Sequence, residues 1–81
     1  MFIHTYTQKN NMRGFHENWH VAAFTLQKDM LGPMTKWCYE TFGNSGYHPL
    51  TDEYRWSDDI RYGEVQFSRK EDLEWFVLRW S

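Results

Sequence analysis

Apolar side chains near the C-terminal end of the chain recur at the spacing of an α-helix. They form one stripe at positions i, i+3, i+4 and i+7, made up of Leu73, Phe76, Val77 and Trp80. Ser68 and Glu71 have the spacing of a capping box, in which each side chain accepts a hydrogen bond from the other residue's backbone amide. Arg79 lies where the helix macrodipole favours positive charge. The sequence therefore predicts a helix that begins after Ser68 and continues to the C-terminus.

Two large side chains in this predicted helix lie off the apolar stripe. At about 100° per residue, Trp75 and Leu78 project from nearly the opposite side. Arg79 follows Trp75 by four residues, so its guanidinium can cover the indole ring. Trp and Arg are enriched at the residues that dominate protein interfaces. We interpret this second face as a surface for a partner; the alternative is that the loop Asn44–Asp52 folds over Trp75.

The segment before this helix predicts strands. Ile60–Phe67 alternates apolar and polar residues, but the phase slips at Gly63. A bulge at Gly63 and Glu64 would return all the apolar side chains of this strand to one face. Tyr54–Trp56 can pair with the strand across residues 57–59, as a hairpin.

The N-terminal half is less sharply patterned. Phe2–Thr7 alternates as a short strand, and Gln8–Gly14 has the composition of a loop. Phe15–Leu31 fits either a strand or a helix by periodicity. We favour a strand over Trp19–Leu26, with two apolar faces typical of a central strand, because β-branched and aromatic residues are enriched there.

Gly32 and Pro33 then interrupt the chain, and an apolar stripe predicts a second helix over Pro33–Phe42 that ends at Gly43. The resulting order is β-β-α-β-β-α. We therefore expect one α+β domain, with an antiparallel sheet of three or four strands and both helices on one face. This outline resembles the ferredoxin-like class, which by itself implies no function.

Aromatic residues are unusually frequent for a chain of 81 residues. Five Trp, five Tyr and six Phe are more rings than so small a core can bury, so some should lie in a binding face or an oligomer contact. The formal charge of −2 argues against sequence-independent binding to nucleic acid. Cys38 has no second cysteine to pair with, and no segment has the apolar length of a signal peptide or membrane span. These features predict a soluble cytoplasmic protein that does not bind membranes.

Two histidines match the pattern H-E-x-x-H, with His16 and His20 flanking Glu17. On a helix the imidazoles would lie one turn apart and could hold Zn²⁺, and the glutamate would polarise a metal-bound water. This makes a zinc-dependent hydrolase, or a metal-binding protein, one alternative function. The pattern needs a helix where we favour a loop leading into a strand, so two histidines in ordinary polar contacts are the simpler interpretation.

A second alternative is a binder of single-stranded nucleic acid. Rings alternate with arginines in one region of the predicted sheet, at Tyr54, Arg55, Trp56, Arg61 and Tyr62. The competing interpretation places Trp56 and Tyr62 in the core beneath the helices. Cys38 lies on an apolar stripe and is expected to be a buried, unreactive thiol.

The interpretation that needs fewest assumptions is a small non-catalytic protein-interaction module. We expect it to self-associate, as a homodimer, and to modulate a partner protein. Its predicted binding residues are Trp75, Leu78, Arg79, Trp56 and Tyr62.

Overall fold

The computed structural model describes residues 2–9, 18–50 and 53–81. Its elements in chain order are β1 (Ile3–Lys9), β2 (Asn18–Phe24), α1 (Leu31–Phe42), β3 (Tyr47–His48), β4 (Glu53–Tyr54), β5 (Trp56–Asp59), β6 (Glu64–Phe67) and α2 (Lys70–Trp80). Short 3-10 turns at Lys28–Met30 and Ile60–Tyr62 precede α1 and β6. The predicted α+β class and the order of strands and helices are confirmed.

Four strands form one antiparallel sheet in the order β1-β2-β6-β5. The ambiguous segment is a strand, β2, as favoured, and it lies between β1 and β6. Most of the predicted loop at Gln8–Gly14 lies outside the described residues, although Gln8 belongs to β1. The predicted loop at Asn44–Asp52 contains β3, which pairs with β4 in a separate two-stranded sheet.

One face of the four-stranded sheet packs against both helices. Ala22 lies opposite Val65, and Phe67 lies between His20 and Trp56, so these side chains share a face. That face meets buried residues of α1 and α2, namely Met34, Cys38, Phe42, Leu73, Phe76 and Trp80. Trp37 contacts both Phe76 and Trp80, at ring-centroid distances of 6.3 and 6.1 Å, and so joins the two helices.

The opposite face of the sheet is also partly covered, by side chains of the strands themselves. Val21 is fully buried there. Tyr6 pairs with Val21, and its hydroxyl donates to Glu64 Oε2 at 3.1 Å, on the far side of β2. Trp19 packs edge-on against Tyr54, with 5.1 Å between centroids. Strand β2 is therefore buried on both faces, as its two apolar faces predict.

The prediction of a single bulged strand over Ile60–Phe67 is wrong. The chain leaves β5 at Asp59, makes a 3-10 turn, and enters β6 only at Glu64. Gly63 has a φ of 78°, in the left-handed region, and a Cβ at this position would lie 2.3 Å from the Phe24 carbonyl oxygen. β5 and β6 do form a hairpin, but the turn between them lies at residues 60–63 rather than 57–59. The buried side chain of Ile60 belongs to this turn.

The predicted capping box is also wrong. The Ser68 amide and hydroxyl both donate to the Arg55 carbonyl, at 2.9 and 3.0 Å. Ser68 therefore extends the pairing of β5 with β6, and its amide is not available to the exposed Glu71. Helix α2 begins at Lys70, with Arg69 in extended conformation as its N-cap.

Candidate protein-binding surface

Helix α2 exposes two large hydrophobic side chains. Trp75 is 56% exposed and Leu78 is 84% exposed, whereas Leu73, Phe76 and Trp80 are buried. The prediction that Trp75 and Leu78 lie off the core stripe is confirmed. Since more than half of Trp75 faces solvent, the alternative in which a loop of the same chain covers its ring does not hold.

Beside Leu78 lies a groove between β1 and α2, which we call the β1–α2 groove. It encloses about 470 Å³. Its lining consists of Thr5, Lys70, Leu73, Glu74, Val77 and Leu78. The groove exists because α2 packs against β2 and β6, which leaves the helix-side face of β1 open. Thr5 and Thr7 on that face are exposed. An apolar floor with one cation and one anion at its rim is typical of a surface that binds protein.

Arg79 does not cover Trp75. Its guanidinium carbon lies 4.1 Å from the centroid of the Trp80 ring, a distance at which a cation is attracted to the face of an indole. The arginine therefore shields a core ring at the end of α2. Trp75 keeps its exposed face.

Trp56 is not a surface residue, and its inclusion among the binding residues is wrong. It is fully buried, with its indole Nε1 donating to the Gly43 carbonyl at 3.0 Å and Tyr39 packed edge-on at 5.0 Å. Strand alternation points it to the helices, so the core interpretation is correct for Trp56 but wrong for Tyr62. Tyr62 is 79% exposed in the turn between β5 and β6, and it does not line the β1–α2 groove.

The residues proposed to stack on nucleic acid do not form an exposed array. Trp56 is in the core, and Arg55 donates through Nε and Nη2 to the buried carboxylate of Asp72, at 2.9 and 3.2 Å. Tyr54 packs on Trp19. Arg61 and Tyr62 are the exposed members of the set. Two exposed side chains provide neither the continuous stacking surface nor the basic groove that single-strand binding requires.

The H-E-x-x-H pattern falls mostly on residues 16–17, which lie outside the described residues. His20 is described, and it lies half-buried in β2 opposite Phe67, with extended backbone rather than the helix that the pattern needs. Within the described ranges, no three His, Cys, Asp or Glu side chains are grouped so as to hold a metal ion.

Cys38 is fully buried in α1 and contributes to the core. Burial raises the pKa of its thiol from 9.0 to about 12, and the negative charge of Asp58 adds to this effect. Because the thiolate is the reactive form of cysteine, this environment suits a structural side chain rather than a nucleophile.

Comparison of the chain with protein-family models, with curated proteins and with solved structures finds no match. In the part of the chain that the structure describes, neither helix has the length and apolar character needed to cross a membrane. The surface geometry is therefore the basis for assigning a function.

Proposed function

We propose that this protein is a small non-catalytic protein-interaction module that self-associates through the exposed side of α2 and modulates a partner protein. The observation that carries the proposal is the position of Leu78 and Trp75. Both are exposed on α2, and Leu78 forms one wall of the β1–α2 groove. Trp is among the residue types enriched at interface hot spots, which lie in well-packed, desolvated regions of an interface.

Energetic considerations support self-association. A domain of about 80 residues buries a smaller fraction of its surface than a larger one, so its own core provides a thin margin of stability. Transfer of apolar surface out of water contributes roughly 25 cal/mol per Å². Covering Leu78, Trp75 and the groove floor in a dimer would add to that margin. A cytoplasmic location is part of the proposal, because the single buried thiol of Cys38 needs no oxidising compartment.

Sedimentation velocity on the full chain tests this proposal. We expect the native protein to sediment as a dimer, and Trp75→Ala combined with Leu78→Ala to sediment as a folded monomer. Leu50→Ala is the matched control, because Leu50 is also fully exposed but lies in the turn after β3, outside α2. A native protein that remains monomeric at high micromolar concentration would contradict self-association. A dimer that survives the double substitution would show that the α2 surface is not the contact.

A further inference from the structure

The two edges of the four-stranded sheet are built differently. β5 has four residues, two of them aspartates, and it ends in a 3-10 turn. Short length and inward or edge charges are the means by which proteins prevent edge strands from pairing with other chains. β1 has seven residues that pair with β2 without interruption, its sequence includes no proline, and its one lysine, Lys9, is the last residue of the strand. β1 therefore has less of this protection than β5.

The backbone groups of β1 that point away from β2 can be assigned from the pairing of β2. The Phe24 amide donates to the Gly63 carbonyl at 2.9 Å, so the backbone of Phe24 faces the β6 side of the sheet. Its neighbour Ala23 must then face β1, where it lies opposite His4. Since backbone direction alternates along a strand, His4, Tyr6 and Gln8 bond to β2. The outward groups are those of Ile3, Thr5, Thr7 and Lys9.

We propose that β1 pairs antiparallel with β1 of a second copy, about a two-fold axis that passes midway between the Tyr6 residues of the two copies, and so joins two sheets into one of eight strands. This inference rests on the self-association proposed above and specifies its geometry. The register places Thr5 opposite Thr7 of the second copy and Ile3 opposite Lys9. All four outward residues of each copy then lie in hydrogen-bonded pairs, and no two like charges are opposite each other.

A second copy fits this edge better than an unrelated strand, because a single two-fold operation brings together both the β1 edges and the β1–α2 grooves of the two copies. The two-fold axis places the two α2 helices on the same side of the joined sheet. Each α2 lies over its own β2 and β6, so the helix axes would be three or more strand spacings apart, about 14 Å or more. Helices in direct contact lie about 8–10 Å apart. The gap between the two α2 helices is therefore wide enough for the Leu78 and Val77 side chains of both copies, which would lie above the threonines of β1.

A charge exchange on β1 tests this arrangement without altering α2. One double variant carries Thr5→Lys and Thr7→Lys, and the other carries Thr5→Glu and Thr7→Glu. Both positions are exposed in one copy, so each variant is expected to fold. In the proposed register each variant places like charges opposite each other and should sediment at half the native mass. An equimolar mixture of the two places Lys opposite Glu at both positions and should restore the dimer.

A proline substitution provides a second test. The Thr5 amide points away from β2, so Thr5→Pro leaves the β1–β2 pairing intact but removes one intermolecular donor from each copy. At about 1 kcal/mol for each bond, the dissociation constant should rise roughly 30-fold. Thr5→Val is the reference variant, because valine keeps the amide and, like proline, lacks the hydroxyl; the dissociation constant should be roughly 30-fold higher for Thr5→Pro than for Thr5→Val.

The results separate this inference from the proposed function. If the native protein is a dimer and the two charge variants remain dimers when alone, the pairing through β1 is refuted while self-association stands. If the native protein is a monomer, self-association fails and the inference fails with it. If the charge variants are monomers alone and their mixture also stays monomeric, the register is refuted. It is also refuted if the dissociation constant of the Thr5→Pro dimer equals that of the Thr5→Val dimer.

Discussion

The guanidinium of Arg55 holds the carboxylate of Asp72 in a two-point contact, with Nε to Oδ2 at 2.9 Å and Nη2 to Oδ1 at 3.2 Å. Asp72 lies in the first turn of α2, and Arg55 lies between β4 and β5. The Arg55 carbonyl also accepts both hydrogen bonds from Ser68. Arg55 therefore fixes both the start of α2 and the end of β6. This determines which side of α2 faces the β1–α2 groove.

We expect Asp72→Asn to lower the free energy of unfolding by about 2 kcal/mol. Removing one partner of a largely buried ion pair leaves the other charge without compensation, and Asp72 is 3% exposed. The partial exposure of the Arg55 side chain, 28%, keeps the effect below that of a fully buried pair. Urea denaturation measures it. Glu71→Gln, on the same turn but exposed, is the control, and equal losses for the two substitutions would show that the pair contributes nothing.

Gly63→Ala, in the turn before β6, should be among the most damaging single substitutions in the described part of the chain. The residue has a left-handed φ of 78°, and the added Cβ would meet the Phe24 carbonyl oxygen at 2.3 Å. A backbone carbonyl cannot move aside as a flexible side chain can, so we expect the free energy of unfolding to fall by more than about 2 kcal/mol. Thermal unfolding measures this loss. Gly32→Ala is the control: it lies in α1 with open space around it and should stabilise the protein by up to about 1 kcal/mol.

Helix α2 and strand β2 were predictable because their local patterns agree with their environments. The apolar stripe of α2 contacts the core, and the two apolar faces of β2 are both buried. The prediction of one strand from Ile60 to Phe67 is wrong because alternation shows which side chains are apolar, not the backbone conformation that buries them. Ile60 reaches the core from a 3-10 turn. The change of phase in the apolar alternation at Gly63 does reflect the structure, but it marks a turn residue with left-handed φ rather than a bulge.

The candidate site was only half predictable. Helical periodicity identified Trp75 and Leu78 because both lie opposite the core stripe. The groove depends on Thr5, which is 73 positions from Leu78 in the sequence, and on a strand order that places β1 beyond the reach of α2. No local sequence pattern shows that Thr5 and Leu78 are neighbours in the fold. The prediction fails for Trp56 because an alternation of rings and arginines does not show which of the rings are buried.

The stability of the protein should fall in alkaline solution, in part through Cys38. The folded pKa of this thiol is raised from 9.0 to about 12, so between these values the unfolded chain loses the proton and the folded one keeps it. The stabilisation is therefore fully present below pH 9 and is lost as the pH rises toward 12. By pH 10 the loss is on the order of 1 kcal/mol.

Cys38→Ala provides the comparison for this pH dependence. The variant will be less stable at every pH, because it leaves a small cavity, so the informative quantity is the change between pH 8 and pH 10. We expect that change to be smaller in the variant by roughly 1 kcal/mol. The other ionisable groups are present in both proteins, so their contributions cancel in the difference. Identical changes in the two proteins would mean that the thiol is accessible to water in the folded state.

Trp75 and Trp80 lie five residues apart on α2, and substituting each by alanine should have opposite consequences. Trp80 is 7% exposed and packs against Trp37 at 6.1 Å, so Trp80→Ala should cost about 3 kcal/mol of folding free energy. Trp75→Ala removes a ring that is 56% exposed and should change the stability of the monomer by less than about 0.5 kcal/mol. If Trp75 serves binding, this variant should instead weaken self-association in sedimentation while its urea midpoint, measured at concentrations where the native protein is monomeric, stays unchanged. A large loss of monomer stability from Trp75→Ala would assign this ring to the fold and remove the main reason for regarding the outer side of α2 as a contact surface.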